Sequence, residues 1–188
     1  MKHPESSISM RRWSTLAHRD VLVPALDKIF FEASNTKSFA SADIRAQFRT
    51  RWLGRYLSDF PQLAHLLFVP ADVEPENLGG YVIGEHSDPA ATDRYNDIGY
   101  FHLLADVSPR YPAHLHINLR ADLRGKGLGS RLIESFIADA AAAGCPGVHI
   151  VTGANLRNVG FYLQNGFGEV KRFDWKGNVL VMLGRLIG

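Results

Sequence analysis

One glycine-rich segment between two apolar segments limits most strongly what this chain can fold into. Residues 124–129 read Arg-Gly-Lys-Gly-Leu-Gly. They follow a short apolar run at residues 114–119 and lead into residues 129–143, where apolar side chains recur at helical spacing. Another short apolar run follows at residues 148–151. This order predicts a strand, a helix and a second strand, the unit from which parallel α/β sheets are built.

The flanking segments predict further strands and helices around this unit. In chain order they are a strand at residues 8–13, helices at 19–33 and 44–60, antiparallel strands at 65–69 and 80–83, a short helix at 158–164, and a closing hairpin of strands at 167–173 and 179–186. No repeat and no linker rich in Gly, Ser or Pro divides the 188 residues. The sequence therefore predicts one α/β domain over residues 1–188, with a mixed central sheet of about six to seven strands and flanking helices.

Residues 87–112 form a long polar segment, rich in Asp, Tyr and Pro, between two predicted strands. Connections of this length without regular structure are uncommon in compact domains and are usually functional. We therefore expect this segment, together with the first two helices, to border the pocket for a substrate.

Composition and charge exclude several classes of function. The chain carries 21 Lys and Arg against 19 Asp and Glu, a formal net charge of +2, whereas nucleic-acid-binding domains usually carry a strong basic excess. No apolar run reaches the roughly 18 residues of a membrane helix, and residues 1–13 lack the apolar core of a signal peptide. Cys145 is the single cysteine, and no Cys/His cluster has zinc-site spacing. We expect a cytoplasmic protein that binds no nucleic acid, membrane or metal.

The glycine-rich segment is a candidate anion site. Glycines let backbone N–H groups approach an anion closely, and the helix that follows adds a partial positive charge at its N-terminus. Arg120, Arg124, Lys126 and Arg131 lie in this part of the chain against Asp122 alone. A diphosphate suits this chemistry, although glycine-rich turns before helices are also common without a ligand. The segment is neither a Walker A loop nor a full dinucleotide fingerprint, and a different anion such as a nucleotide is an alternative guest.

Two stretches in the second half of the chain form a pair of spaced motifs. Arg124, Gly127 and Gly129 fit the pattern Arg/Gln-x-x-Gly-x-Gly/Ala between a strand and a helix. Residues 155–167 read Asn-Leu-Arg-Asn-Val-Gly-Phe-Tyr-Leu-Gln-Asn-Gly-Phe, close to Asn-x-x-Ala/Ser-x-x-Phe/Leu-Tyr-x-x-x-Gly-Phe. Together they resemble motifs A and B of the GNAT family of acyl-CoA-dependent N-acetyltransferases. Asn158 departs from motif B, because the family usually has Ala or Ser there.

Residues 111–117, Tyr-Pro-Ala-His-Leu-His-Ile, precede motif A. Within the GNAT family this segment resembles the corresponding segment of the C-terminal acetyltransferase-like domain of O-GlcNAcase and of its stand-alone bacterial relatives. The catalytic competence of that domain in the animal protein is in doubt. The resemblance therefore also supports an alternative to an enzyme, a catalytically inactive module that binds acyl-CoA.

The family resemblance implies a GNAT fold in which acetyl-CoA, the co-substrate, lies between splayed central strands. Its pyrophosphate is expected on the backbone of residues 124–129, its pantetheine arm along the preceding strand, and its acetyl carbonyl at a backbone N–H near Leu119. The residues expected to bind this cofactor are Ile117, Leu119, Arg124, Gly125, Lys126, Gly127, Leu128, Gly129, Ser130, Asn155, Asn158 and Phe161.

His114 and His116 alternate along one predicted strand, so their side chains point to the same face about 6.7 Å apart. Their ordinary pKa of about 6.5 suits proton transfer near neutrality, and an amine must lose a proton to be acetylated. We interpret the pair as candidate bases. A similar His-Leu-His in the serotonin N-acetyltransferase branch of the family is implicated in deprotonating the amine. The alternative is a structural role in which the pair hydrogen-bonds to residues 87–112 and fixes them.

Tyr162 stands where many GNAT enzymes place the tyrosine that protonates the departing CoA thiolate. With an ordinary pKa of about 10, a tyrosine stays protonated at pH 7 and can donate. The alternative is that its ring packs in the core and its hydroxyl bonds a backbone group.

These features predict an acetyl-CoA-dependent N-acetyltransferase that acts on a primary amine. The acceptor is open: a small amine, an amino sugar, an antibiotic and a protein lysine all satisfy the same chemistry. A homo-oligomer is compatible with the C-terminal strand pair, which can complete a dimer sheet, but no feature of the sequence requires one.

Overall fold

The computed structural model describes residues 7–188, which contain seven strands and five α-helices. The strands are β1 (Ser9–Arg12), β2 (His65–Phe68), β3 (Leu78–Glu85), β4 (Ala113–Leu119), β5 (Gly147–Gly153), β6 (Gly168–Trp175) and β7 (Asn178–Leu186). The helices are α1 (Val23–Ala33), α2 (Ala42–Arg49), α3 (Arg55–Asp59), α4 (Leu128–Ala142) and α5 (Asn158–Gln164). Every strand and helix predicted from the sequence is present, with bounds shifted by a few residues.

The strands form one mixed sheet in the order β1-β2-β3-β4-β5-β7-β6. β2 is antiparallel to β1 and β3, and β7 is antiparallel to β5 and β6. β4 and β5 are parallel, and their register covers two residue pairs, Ala113 with Val148 and His114 with His149. Both strands are seven residues long, so this central pairing is short, as a splayed sheet requires. The predicted α/β class and the mixed seven-stranded sheet with flanking helices are confirmed.

The chain groups into two compact units, each with its own buried apolar residues. The first comprises residues 7–83 together with His116–Phe136, and the second comprises Gly84–Leu115 and Ile137–Gly188. The core of the first unit includes Leu26, Leu53, Tyr56, Leu66, Phe68, Tyr81, Leu132 and Phe136. The core of the second includes Tyr95, Leu104, Ala113, Val148, Ile150, Met182 and Leu183. The single domain predicted over residues 1–188 stays a prediction.

The helix predicted for residues 44–60 is interrupted near its middle. Thr50–Gly54 form a π-helical turn between α2 and α3, in which the Arg55 N–H donates to the Thr50 carbonyl five residues back. Phe60 and Pro61 end the helical segment, as the sequence predicts. Such π turns occur frequently at functional sites because they turn the side chains that follow onto a new face.

The long polar segment between β3 and β4 is not free of structure. It contains four 3-10 turns, Pro89–Ala91, Asp93–Tyr95, Phe101–Leu104 and Ser108–Arg110. Lys171 of β6 donates to the Leu103 carbonyl over 2.7 Å and to Asp106 over 2.6 Å, and Trp175 lies directly over Gly99. The C-terminal hairpin thus holds this segment in place within the second unit.

Two sharp turns are made by residues with positive φ. At the tip of the C-terminal hairpin, Lys176 and Gly177 have φ values of 48° and 78°, the geometry of a tight two-residue turn. Gly144, with φ of 74°, follows the last turn of α4.

Within residues 7–188, no helix combines the length and the apolar character that crossing a bilayer demands.

Candidate functional site

The glycine-rich segment forms an open backbone loop at the start of α4. Gly125 and Gly127 have φ values of 74° and 75°, a conformation that only glycine adopts readily. A Cβ at either position would meet no atom within 4 Å, so the loop presents bare backbone. α4 begins directly afterwards at Leu128, and its first N–H groups carry the partial positive charge of a helix N-terminus. The loop and the helix start together have the donors that a phosphate group needs.

Arginine side chains brace this loop. Arg124 donates from Nε and Nη2 to the carbonyl of Leu119, the last residue of β4, over 3.2 and 3.1 Å. Arg120 makes a paired contact with Asp122 and donates to the Glu76 carbonyl over 3.0 Å. Arg120 and Arg124 therefore bind protein groups. Lys126 and Arg131, in the same part of the chain, have exposed side chains.

The predicted site residues divide between the two units. The first unit holds His116, Ile117, Leu119 and residues 124–130, so the strand end, the loop and the helix start are contiguous. The second holds His114 and the motif B residues Asn155, Asn158, Phe161 and Tyr162.

Motif B begins in the turn after β5 and includes the short helix α5. Asn155 and Asn158 are exposed, and the Asn158 side-chain oxygen accepts a hydrogen bond from Thr152 over 3.1 Å. Tyr162 is 6% exposed, with its ring against Phe161 and Phe167 at 5.3 and 5.5 Å between centroids. Burial raises the pKa of Tyr162 above its ordinary value, so the phenol stays protonated at neutral pH. The packing role and the donor role of Tyr162 are therefore compatible.

His116 is half-buried and lies against two aromatic side chains from the interrupted helical segment. The Tyr56 hydroxyl is 3.1 Å from Nε2 of His116, within hydrogen-bond distance. The Trp52 ring stands at 80° to the imidazole, with 5.4 Å between centroids. Neither Trp52 nor Tyr56 belongs to the family motifs, and the structure shows that both lie against this histidine.

His114 lies in a more enclosed environment within the second unit. It is 2% exposed, and its ring lies 5.0 Å from Tyr95, 5.7 Å from Phe101 and 5.7 Å from His149 between centroids. Tyr95 and Phe101 belong to the polar segment, so His114 does contact that segment, through ring packing. The Tyr95 hydroxyl in turn donates to the carboxylate of Glu85 at the end of β3, and both side chains are buried.

His149, beside His114 on the neighbouring strand, is fully buried. Its Nδ1–H donates to the Tyr111 carbonyl, and its Nε2 has no hydrogen-bond partner among the described residues. Burial lowers the pKa of His149 to about 4, so this imidazole is neutral at pH 7. A neutral, enclosed ring of this kind packs as part of the core.

Cys145 offers no nucleophile. Its side chain is half-buried, and burial raises the pKa of the thiol, so the thiolate is disfavoured. Among the side chains of residues 7–188, no three or more of His, Cys, Asp and Glu group in a way that could hold a metal ion.

Comparison with known proteins agrees with this geometry. The chain matches the Acetyltransferase (GNAT) family over residues 40–167, which is more than half of its length. The chain therefore belongs to the GNAT acetyltransferase family, and the family predicted from motifs A and B is confirmed.

Solved structures share the fold over almost the whole chain. SsHAT is 22% identical with a TM-score of 0.69, and the alignment covers 96% of this chain and 98% of that one. A chain of the NatC complex, solved bound to Gag peptide and CoA, is 14% identical with a TM-score of 0.64, covering 97% and 99%. The ribosomal-protein-S18-alanine N-acetyltransferase from Escherichia coli is 15% identical with a TM-score of 0.55, covering 96% and 94%. At these identities the likeness establishes the fold.

Proposed function

We propose that this protein is an acetyl-CoA-dependent N-acetyltransferase that transfers the acetyl group directly to a primary amine. The observation that carries the proposal is the open loop with positive φ at Gly125 and Gly127, which joins β4 to the N-terminus of α4 in a chain of the GNAT family. Acetyl-CoA supplies an acyl group activated as a thioester.

The residues present suit the charged part of this co-substrate. The bare backbone of the loop and the first N–H groups of α4 offer donors to a pyrophosphate, and Lys126 adds an exposed cation. Arg124 orients the last peptide of β4 through the Leu119 carbonyl, close to where the acetyl carbonyl is expected. We assign Asn155, Asn158 and Phe161 to contacts with the CoA arm, on the strength of the motif B match.

We assign the two proton movements to His116 and Tyr162. The amine nitrogen bonds to the acyl carbon while the carbon–sulfur bond breaks; His116 takes the proton that the amine loses, and Tyr162 gives a proton to the departing sulfur. Exchange with solvent then restores both side chains. Tyr162 can fill this role at neutral pH because a phenol, with an ordinary pKa of about 10, stays protonated there.

His116 is preferred over His114 as the group that receives the proton. His116 is half-buried and accessible, whereas His114 is 2% exposed and enclosed by rings. A base is needed because presenting a lysine-like ammonium, with a pKa of about 10.4, as the free amine at pH 7 costs roughly 4.6 kcal/mol. We assign His114 a supporting place on the same strand.

We assign the acceptor, a small amine or a protein lysine, to residues 87–112 and to the first two helical segments predicted from the sequence, residues 19–33 and 44–60. The similarity to the C-terminal domain of O-GlcNAcase, carried by residues 111–117, is part of this proposal. The NatC complex was solved bound to Gag peptide, and another similar structure is named a ribosomal-protein-S18-alanine N-acetyltransferase. These two structures favour including peptides among the amines to be tried.

Thermal unfolding with acetyl-CoA, CoA and ATP tests the first half of the proposal. Acetyl-CoA at about 100 times its Kd adds roughly 2.7 kcal/mol and raises the Tm by roughly 5 to 10 °C. No shift at saturating acetyl-CoA contradicts the proposal, and a shift with ATP that acetyl-CoA competes away identifies a nucleotide site instead.

Release of CoA thiol over a panel of amines and lysine peptides tests the second half. Binding together with amine-dependent thiol release supports the enzyme. If acetyl-CoA binds but no amine or peptide in the panel causes release of CoA thiol, the result supports the alternative, an inactive acyl-CoA-binding module.

A further inference from the structure

The imidazole of His116 is held by one helical segment, through residues four apart. Trp52 and Tyr56 both place their rings against it, at 5.4 and 5.1 Å between centroids. The Tyr56 hydroxyl reaches Nε2 over 3.1 Å. The contact therefore combines ring packing with a polar interaction at one specific nitrogen.

Tyr56 is a rigid partner for this nitrogen. It is 0% exposed, and the adjacent Leu57 and the nearby Leu53 are buried as well. The π turn at Thr50–Gly54 ends two residues before Tyr56, so the direction of its side chain is set by helix geometry and core packing together. A hydroxyl fixed in this way can hold an imidazole ring in one orientation.

On the basis of the proposed function, we propose that Tyr56 is a positioning residue for acyl transfer. Its oxygen accepts a hydrogen bond from Nε2–H of His116, and Nδ1 is then the nitrogen that receives the proton of the amine. After the transfer, the imidazolium keeps its Nε2–H bond to Tyr56, and the phenol keeps its own proton. This arrangement follows the general rule that a catalytic base is oriented by a third group at its other nitrogen.

Tyr56→Phe removes the hydroxyl that contacts Nε2 of His116 and keeps the packed ring. The imidazolium of His116 loses an acceptor, and because hydrogen bonding to the charged form raises the pKa of a histidine, the variant lowers it. We expect the pKa of His116 to fall by about one unit and kcat to fall about tenfold, with KM for acetyl-CoA unchanged. The limb of the pH–rate profile in which the base loses its proton moves to lower pH.

Tyr81→Phe is the matched control. Tyr81 is also 0% exposed and belongs to the same unit, and its hydroxyl accepts a hydrogen bond from the Asn118 side chain over 2.7 Å. This variant removes a buried phenol hydroxyl of comparable setting without touching His116. We expect it to lower stability while leaving the pKa of His116 and the pH–rate profile as in the wild type.

Long-range proton–nitrogen NMR spectra of histidine-labelled protein give the test without any turnover. The His116 signals are assigned by their loss in His116→Asn, and then the tautomer is read and the pKa titrated in wild type, Tyr56→Phe and Tyr81→Phe. The Nε2–H tautomer in the wild type, with a lower pKa in Tyr56→Phe alone, supports the proposal. The Nδ1–H tautomer, or a pKa that is unchanged or raised in Tyr56→Phe, overturns it.

The two proposals fail in different measurements. If no amine stimulates thiol release from the wild type, the proposed function fails, whatever the NMR spectra show. If thiol release is robust and Tyr56→Phe matches the wild type in kcat and pH profile, the assignment of Tyr56 fails and the proposed function stands.

Discussion

The hydroxyl of Tyr95 donates a hydrogen bond to the carboxylate of Glu85, and both side chains are buried. The Tyr95 ring also stands at 86° to the ring of His114, with 5.0 Å between centroids. One tyrosine of the polar segment thus connects the end of β3 to β4. Because the carboxylate is enclosed, the free energy of unfolding depends on that phenol.

Tyr95→Phe leaves a buried carboxylate oxygen without its phenol donor. We expect the free energy of unfolding to fall by about 2 kcal/mol, since an orphaned buried polar group costs about 1–3 kcal/mol. Glu85→Gln keeps the size of the side chain and an oxygen that can accept from Tyr95, and we expect it to cost less. Urea denaturation at pH 7 measures both. Equal losses in the two variants, or less than about 0.5 kcal/mol for Tyr95→Phe, contradict this account.

The sequence predicted the elements that rest on local patterning. The strand, loop and helix over residues 114–143 follow from an apolar run, glycines and helical spacing, and these signals lie within one short stretch. Gly125 and Gly127 do take the positive φ that a tight anion loop requires. The motif match and the fold therefore agree, because motif A encodes local backbone geometry.

The surroundings of the two histidines were not predictable in the same way. The spacing of Trp52 and Tyr56, four residues apart, fits an unbroken helix. The π-helical turn at Thr50–Gly54 has no sequence signature. Glu85 lies two residues past the predicted end of its strand, and its partner Tyr95 comes from a segment without periodicity. Contacts of this kind arise from tertiary packing, which a single sequence does not specify.

Gly127→Ala tests the loop as a phosphate site. The alanine is forced into a left-handed conformation that costs about 1 kcal/mol, and its Cβ occupies the open face of the loop. We expect affinity for acetyl-CoA to fall at least tenfold, which removes about 1.4 kcal/mol of ligand stabilisation. Thermal unfolding with and without acetyl-CoA separates the two effects.

Gly177→Ala provides the control for that variant. Gly177 has φ of 78° and equally open surroundings, but it lies in the C-terminal hairpin turn. It should lose a similar amount of stability and keep the full shift with acetyl-CoA. If both glycine variants retain the shift, the loop at Gly127 does not hold the pyrophosphate.

Tyr162→Phe removes the proposed proton donor and keeps the packed ring. We expect kcat to fall by about 10²-fold or more, the usual contribution of a general acid, while the thermal shift with acetyl-CoA is retained. Tyr81→Phe is the comparison, because Tyr81 is likewise buried and burial raises its pKa as well. A Tyr162→Phe enzyme with the rate of Tyr81→Phe removes Tyr162 from the mechanism.

His149 gives the fold a defined sensitivity to acid. Burial holds its pKa at about 4 in the folded protein, below the ordinary value of about 6.5 that applies to the unfolded chain. The unfolded chain therefore binds this proton first as the pH falls, and folding loses stability between about pH 6.5 and pH 4. A difference of about 2.5 pKa units corresponds to about 3 kcal/mol, fully present above pH 6.5 and lost below pH 4.

Urea denaturation from pH 4 to pH 7 on matched variants isolates this contribution from that of the carboxyl groups. His149→Gln cannot take up the proton, so we expect the loss of stability between pH 6.5 and pH 4 to be smaller than in the wild type by about 3 kcal/mol. His102→Gln replaces an exposed histidine in the same unit and should follow the wild type. If His149→Gln and the wild type lose the same free energy of unfolding between pH 6.5 and pH 4, this account of His149 is wrong. The buried, neutral imidazole would then contribute nothing to the loss of stability in acid.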